Sequence, residues 1–440
     1  MHNPPIYDAL ILGGGASGLL AAAALARRGL RAALLEKQSR VGRKLLSTGN
    51  GRCNFTNLNA RASDYHGSRQ AAQMALRAYP PKKIVEIFEG LGIPCVSDAE
   101  GRAYPMSRQA ASVLDALRLA CDEAGVDTLT DFSVAALKPG FAAVASDGRQ
   151  VSGRTALVCT GGLAAPKLGA SGEGYRLLEG FGHRIMPRFP AIAALKTPPE
   201  AVRGLKGIRA DGTIRLICGG EVLRSETGEV LFSETGVSGI AAMQLARQAN
   251  ECLRSGKACA VRLELLPDAL NALRARAGAL PKRRMEDFLN GIVARRLGQT
   301  LVKAAGIDPG LEAGQLSGRQ LDRLAGFLSG WTLPVTGTQD FDQAQVTAGG
   351  ASLNDFDLRT MQSLRQPGLF AAGEVLDVDG DCGGFNLQWA WSSALIAVDG
   401  IEGRLRCCSG GNDKLGFIRE KGKGNAAAAL KRNGTSYDMV

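Results

Sequence analysis

Apolar residues in this chain gather into short, nearly unbroken runs closed by glycine-rich turns. Ile6–Leu12 is the first run and Ala32–Leu35 the second; between them, Leu19–Arg28 is rich in alanine and leucine and ends at Gly29. Runs of this length suit strands buried on both faces of a parallel sheet, and the stretch between them suits a helix. The pattern predicts a further helix over residues 107–125, where Val113, Leu114, Leu117 and Ala120 recur at helical spacing. Short alternating strands at Ser133–Leu137 and Ala142–Ala145 and another buried strand at Ala156–Cys159 follow. Around residue 190 the character changes. Pro187, Pro190, Pro198 and Pro199 punctuate a polar stretch, and strand-like segments at Thr213–Cys218 and Glu229–Phe232 predict a second, mostly β domain. Residues 268–329 turn helical, with Met285, Phe288, Leu289, Ile292, Val293 and Leu297 on one apolar stripe, a core face rather than a ligand site. The first pattern returns late, as a strand from Leu369 into Gly373-Glu374 and a helix from Gly384 to Val398.

The first turn carries chemistry. Strand, Gly13-Gly14-Gly15-Ala16-Ser17-Gly18, helix, strand and Glu36 follow in register, the arrangement of a dinucleotide-binding unit. Gly13 permits the tight turn, Gly15 lets a diphosphate approach the backbone, and Gly18 lets helix and strand pack closely. Ala16 and Ser17 open the helix, whose free N–H groups face the phosphates. Glu36 stands where it accepts hydrogen bonds from ribose hydroxyls, and Lys37 follows it. The basic, glycine-rich loop after this acid offers Arg43, Lys44, Ser47, Gly49 and Gly51 to a long cofactor and Arg52 to an anion. Val134 and the strand-end pair Thr160-Gly161 are further cofactor candidates.

The C-terminal return supplies the other half of a flavin site. Gly373-Glu374 closes a strand, Asp377, Asp379 and Asp381 follow, and Gly383-Gly384-Phe385-Asn386-Leu387 opens a helix. The positive end of that helix would favour an electron-rich flavin pyrimidine ring. The two halves together point to FAD.

Residues Gly42 to Asn57 resemble the G-R-K-x-x-x-S/T-G-x-G-R-C-N-x-T-N signature of the aminoacetone oxidase/BaiN-like family of NAD(P)/FAD-dependent oxidoreductases, with the serine position shifted to Ser47-Thr48. The likeness recurs at Thr160–Gly162, Pro166-Lys167, Gly172–Tyr175, Gly236–Gly239 and the C-terminal motif, and so spans nearly all of residues 6–403. It implies an α/β fold: a discontinuous Rossmann-type FAD-binding domain with an inserted β-barrel-like domain and a small helical subdomain. The expected division is 1–190 and 346–404 for the FAD domain, 191–262 and 331–345 for the β-rich insert, 263–330 for the helical part and 405–440 for a weakly ordered tail.

Composition narrows the partners. The net charge is +11, but the basic residues are scattered without aromatic interleaving, so solubility is the expected role of the charge and nucleic acid is not an expected partner. None of the ten cysteines forms a C-x-x-C pair, which leaves metal binding and thioredoxin-like chemistry without support and predicts free thiols in a cytoplasmic protein. No apolar stretch reaches the roughly 18–20 residues that span a bilayer.

The flavin would carry out the redox step itself. The three histidines, His2, His66 and His183, are too scattered to form a catalytic set, and Cys53 has no partner cysteine nearby. Arg52 and Cys53 are therefore the catalytic candidates, Arg52 with the competing role of pairing with an acid of Asp377–Asp381 and Cys53 with that of a packed thiol. No second G-x-G-x-x-G follows a strand, so NAD(P)H would have to enter the flavin cleft. The expected reaction is reduction of an activated C=C bond of a small organic substrate by NAD(P)H. The alternatives are an amine or aminoketone oxidase producing hydrogen peroxide and an RNA-binding flavoprotein. The cleft is expected between Ser47–Asn57 and Gly236–Gly239. Oligomeric state is not readable from the sequence.

Overall fold

The computed structural model describes residues 6–409. Five parallel strands form the centre of the larger sheet, in the order Leu369–Ala371, Gln150–Val158, Ile6–Leu12, Ala32–Leu35 and Asp127–Leu129. Ile11 lies between Leu157 and Leu34 in register, and all three side chains are fully buried, as continuous apolar strands require. The hairpin Val134–Lys138 and Ala142–Ala145 pairs with the start of Gln150–Val158. Helix Ala16–Arg27 packs on both Ala110–Glu123 and the 25-residue helix Phe385–Ser409. Residues 405–409 continue that last helix; the rest of the expected tail lies outside the described residues.

Residues 56–106 add elements that apolar periodicity did not reveal. Helices Arg69–Ala78 and Pro81–Gly90 stand beside a three-stranded sheet of Thr56–Asn57, Arg102–Pro105 and Cys95–Ser97. These strands of two to four residues are too short for a period of two to register.

The chain enters and leaves the insert through one antiparallel pair, Phe189–Ala191 with Val346–Ala348. Between these strands lies a seven-stranded antiparallel sheet with its own buried core, separate from that of the cofactor domain. Its long hairpin, Arg209–Cys218 with Glu221–Phe232, contains both strand-like segments read from the sequence. Helices occupy residues 269–330 between strands Cys259–Glu264 and Trp331–Pro334. The stripe from Met285 to Leu297 is not one helix: Met285–Phe288 and Arg295–Ala304 are separate, and Gly291 (φ +87°) turns the chain between them. Both pieces face the same core, which preserves the apolar spacing across the break.

The expectation that every cysteine stays a thiol is corrected. Cys218 and Cys252 form a disulfide, because strand Arg209–Cys218 and helix Ala246–Arg254 bring their Cα atoms to 5.9 Å. Among the described residues no helix is long and apolar enough to cross a membrane.

Candidate active site

A cavity of about 610 Å³ opens along the C-terminal ends of the parallel strands, where α/β sheets bind ligands. Gly13, Gly15, Ala16 and Ser17 line one part of it. Helix Ala16–Arg27 starts there with no side-chain cap and no acid in its first turn, so its N–H groups are open to an anion. A Cβ built on Gly15 meets nothing within 4 Å, so a side chain there would project into the space of a diphosphate. Gly18 is outside the lining; a Cβ on it would stand 1.9 Å from the Gly13 carbonyl oxygen, which fits its expected role in close helix–strand packing. Glu36 lines the cavity with its carboxylate fixed by backbone: the N–H groups of Gly14 and Gln38 each donate to it at 2.8 Å.

A smaller neighbouring cavity brings Lys37 and Val134 together with Leu35, Phe132 and Thr160. The Lys37 ammonium is turned to Glu173 at 3.1 Å and to Ser171. In the loop that follows, Arg43, Lys44, Ser47, Gly49 and Arg52 line the main cavity, and Gly51 does not. Lys44 donates to Glu374 Oε2 at 2.7 Å, and Glu374 Oε1 accepts the N–H of Thr347 at 2.9 Å. Thr160 and Gly161 are in the wall, as are Gly383, Gly384, Asn386 and Leu387. Gly373 and Phe385 are not. Gly373 donates its N–H to Ser393, and the Phe385 ring packs edge-on against Tyr65. The Asn386 side chain is engaged with the backbone of Gly380 and Asp381, so its part is to shape the turn.

Two expectations about side chains are corrected. Cys53 is fully buried in the core and outside the cavity wall, and burial pushes its thiol up to about 12, where it stays protonated and unreactive. The competing role for Arg52 also falls: Asp379 pairs with Arg247, and Asp381 with Arg224 and His66. Arg52 is exposed at the cavity wall without an acid partner among the described residues. The segment Gly236–Gly239 does not line the cavity; the next residue, Ile240, does. His183 is buried outside the cavity wall, its Nε2 paired with Ser363 Oγ at 2.9 Å and its ring stacked on Phe356.

The sequence reading missed Asn54, Arg102, Tyr104, Ile192, Ile240 and Cys382 in the wall. Arg102 and Tyr104 sit on one of the short strands, and the isoleucines belong to the insert, so nothing local marks them. Only Asn54 lay within the recognised loop.

The residues present fit FAD. Beside the Gly15 cradle, Asn54 Oδ1 and Thr160 Oγ1 are buried without a hydrogen-bond partner among the described residues, and both residues line the cavity. Such atoms require a polar partner. Diphosphate, ribose and a heteroaromatic ring along one groove meet these needs.

The family described as HI0933-like protein Rossmann domain matches residues 7–400 of the chain. The chain is 36% identical over 398 residues to a 3-dehydro-bile acid delta(4,6)-reductase of Clostridium scindens, covering 88% of this chain and 97% of the relative. It is 31% identical over 397 residues to a ribosomal RNA dihydrouridine synthase of Escherichia coli, covering 88% and 96%. Among solved structures, a 3-ketosteroid delta1-dehydrogenase from Sterolibacterium denitrificans matches at TM-score 0.50 and 14% identity, covering 91% of this chain and 100% of that one, a likeness of fold.

Proposed function

The chain belongs to the HI0933-like family of Rossmann-domain proteins and is an FAD-dependent oxidoreductase; from that premise we propose that it saturates a carbon–carbon double bond conjugated to a carbonyl, with NAD(P)H as electron donor. One observation carries the reading. One cavity is lined by the Gly13–Ser17 turn, the Gly383–Leu387 helix start, Ile192 and Ile240 of the insert, and exposed Arg52. The names of both relatives describe the loss of a ring double bond.

When bound, FAD supplies hydride chemistry. The chain's residues bind and orient. Gly13–Ser17 would hold the diphosphate and Glu36 the ribose, and the N-terminus of helix Phe385–Ser409 would favour an electron-rich pyrimidine ring. Ile192 and Ile240 remove water from an apolar substrate face. The Arg52 guanidinium donates to the carbonyl oxygen or to an anionic group, drawing electron density from the double bond.

Anaerobic photometry tests this. NADH or NADPH should bleach the flavin bands, and a conjugated enone should restore them, whereas an isolated alkene should not. Inertness to both nicotinamides, with oxygen consumed on an amine, would sink the reading in favour of an oxidase. Arg52→Ala should keep full FAD content and lower kcat/KM about tenfold or more, about 1.4 kcal/mol of transition-state binding. Loss of flavin would make Arg52 a cofactor residue; unchanged kcat/KM would remove it from the substrate wall.

A second reading places the double bond in a uracil ring of ribosomal RNA. The Escherichia coli relative favours it, and Arg40 and Arg52, exposed at the cavity wall, would meet phosphates. An unmodified ribosomal RNA transcript should then gain dihydrouridine with NADPH present. Turnover of enones without any gain in RNA rejects this reading.

A further inference from the structure

Three side chains of the insert reach one short segment of the cofactor domain, residues 379–382. Arg247, on helix Ala246–Arg254, directs Nε at both carboxylate oxygens of Asp379, at 3.1 and 2.9 Å. Arg224, on strand Glu221–Phe232, forms a fork on Asp381, Nη1 to Oδ1 at 2.9 Å and Nη2 to Oδ2 at 2.8 Å. Gln244 accepts the N–H of Cys382 at 3.1 Å and donates to Glu226 at 2.9 Å, and Glu226 in turn accepts from Arg224 Nε at 2.6 Å. From the cofactor domain, His66 Nε2 meets Asp381 Oδ1 at 3.0 Å. Asn386 accepts the N–H of Gly380 and donates to its carbonyl, both at 2.8 Å. The segment is thus gripped from both sides, and it runs directly into Gly383-Gly384, the turn in the cavity wall.

These contacts are out of water. The side chains of Asp379, Arg247 and Arg224 are 1%, 13% and 16% exposed. Buried ion pairs add little net stability compared with apolar packing, but a two-point fork fixes direction as well as distance. The charge balance matters too. Asp377, Asp379, Asp381, Glu226 and Glu251 crowd the network, against the guanidiniums of Arg224 and Arg247 and the ring of His66. Without the guanidiniums, bare carboxylates would stand near the cavity end at which the helix presents its positive pole.

We propose that Arg224 and Arg247 are positioning residues: they set the Gly383-Gly384 turn against the pyrimidine end of the flavin and screen the Asp379 and Asp381 carboxylates from it. The seating of the insert thereby tunes how readily the cofactor is reduced. This rests on the flavin position given above and is independent of the substrate. Negative charge left near the ring disfavours its electron-rich reduced form, so loss of a guanidinium lowers the midpoint potential.

Arg224→Met removes the charge and the fork while keeping an unbranched apolar side chain. It should lower the flavin midpoint potential, measured by anaerobic dye equilibration. It should also speed amide exchange across residues 379–386, in protein with and without FAD. Arg224→Lys should recover more of the potential than of the exchange protection, because it returns the charge without the fork. Asp381→Asn should raise the potential while loosening the same segment, and this variant carries both readouts if Arg224→Met does not fold. An unchanged potential at full FAD content, or exchange that rises everywhere but at 379–386, overturns the inference. A wild-type protein that binds no flavin would instead sink the cofactor reading, while exchange in flavin-free protein still tests the grip.

Discussion

The cofactor domain and the insert meet at one cavity and contribute to it by different means. The cofactor domain supplies mainly backbone and polar groups: the Gly13–Ser17 turn, Glu36, Thr160 and the start of helix Phe385–Ser409. The insert supplies Ile192, Ile240, Ala344 and Gln345, largely apolar surface. Each region has a hydrophobic core of its own. A nucleotide of fixed shape is held by main-chain geometry that only certain turns provide. On the proposed reading, a substrate would meet side chains of the insert wall and Arg52. Fold therefore reports the cofactor, whereas the reaction has to be argued from the side chains in the wall.

Gly15→Val is the harshest test of this division. It should abolish FAD binding, since the side chain would occupy the diphosphate space, yet leave the insert folded. The purified variant should be colourless with near-native circular dichroism; full flavin occupancy would show that the turn is structural only. Next comes Phe288→Ala, in the insert core and fully buried. The cavity it leaves should cost about 3–5 kcal/mol. In urea, loss of ellipticity should begin before flavin is released; coincident transitions would show the two cores unfolding as one.

A smaller effect is expected from the junction. Burial pushes the Asp379 carboxyl from its ordinary 3.8 up to about 6, with Arg247 and His66 countering part of the rise. A raised folded-state value means stability that is complete below pH 3.8 and is lost as pH rises through 6. The loss should reach about 3 kcal/mol. Asp379→Asn should remove this component, seen as a stability profile between pH 4 and 7 that is flatter than that of wild type. The smallest effect belongs to Cys53→Ala. With the thiol buried outside the cavity, turnover should stay within about twofold; a collapse of kcat at full FAD content would return Cys53 to the catalytic set.

Legibility followed the same division. Ile6–Leu12 and Ala32–Leu35 could be read to the residue, because strands buried on both faces announce themselves as unbroken apolar runs. Gly13, Gly15 and Glu36 could be brought to one cavity wall from the sequence because a strand, glycine turn, helix, strand and acid in register have few alternative arrangements. Arg102, Tyr104, Ile192 and Ile240 were not, since each reaches the cavity through tertiary packing of ordinary residues far apart in sequence. The Met285–Leu297 stripe misled for a related reason: two short helices facing one core keep the spacing of a single longer helix. The Cys218–Cys252 pair, 34 residues apart, carries no spacing signal at all.

The antiparallel gate of Phe189–Ala191 and Val346–Ala348 also sets an order of events on the ribosome. Strand Leu369–Ala371 completes the parallel sheet beside Gln150–Val158, but it is made only after the whole insert. At about 5–20 residues per second, the intervening chain takes roughly 10–40 s to emerge. The insert, contiguous and with its own core, has that interval in which to fold. The flavin seat waits for the final strand and helix, so a nascent chain can own a finished insert before it has anywhere to hold its cofactor.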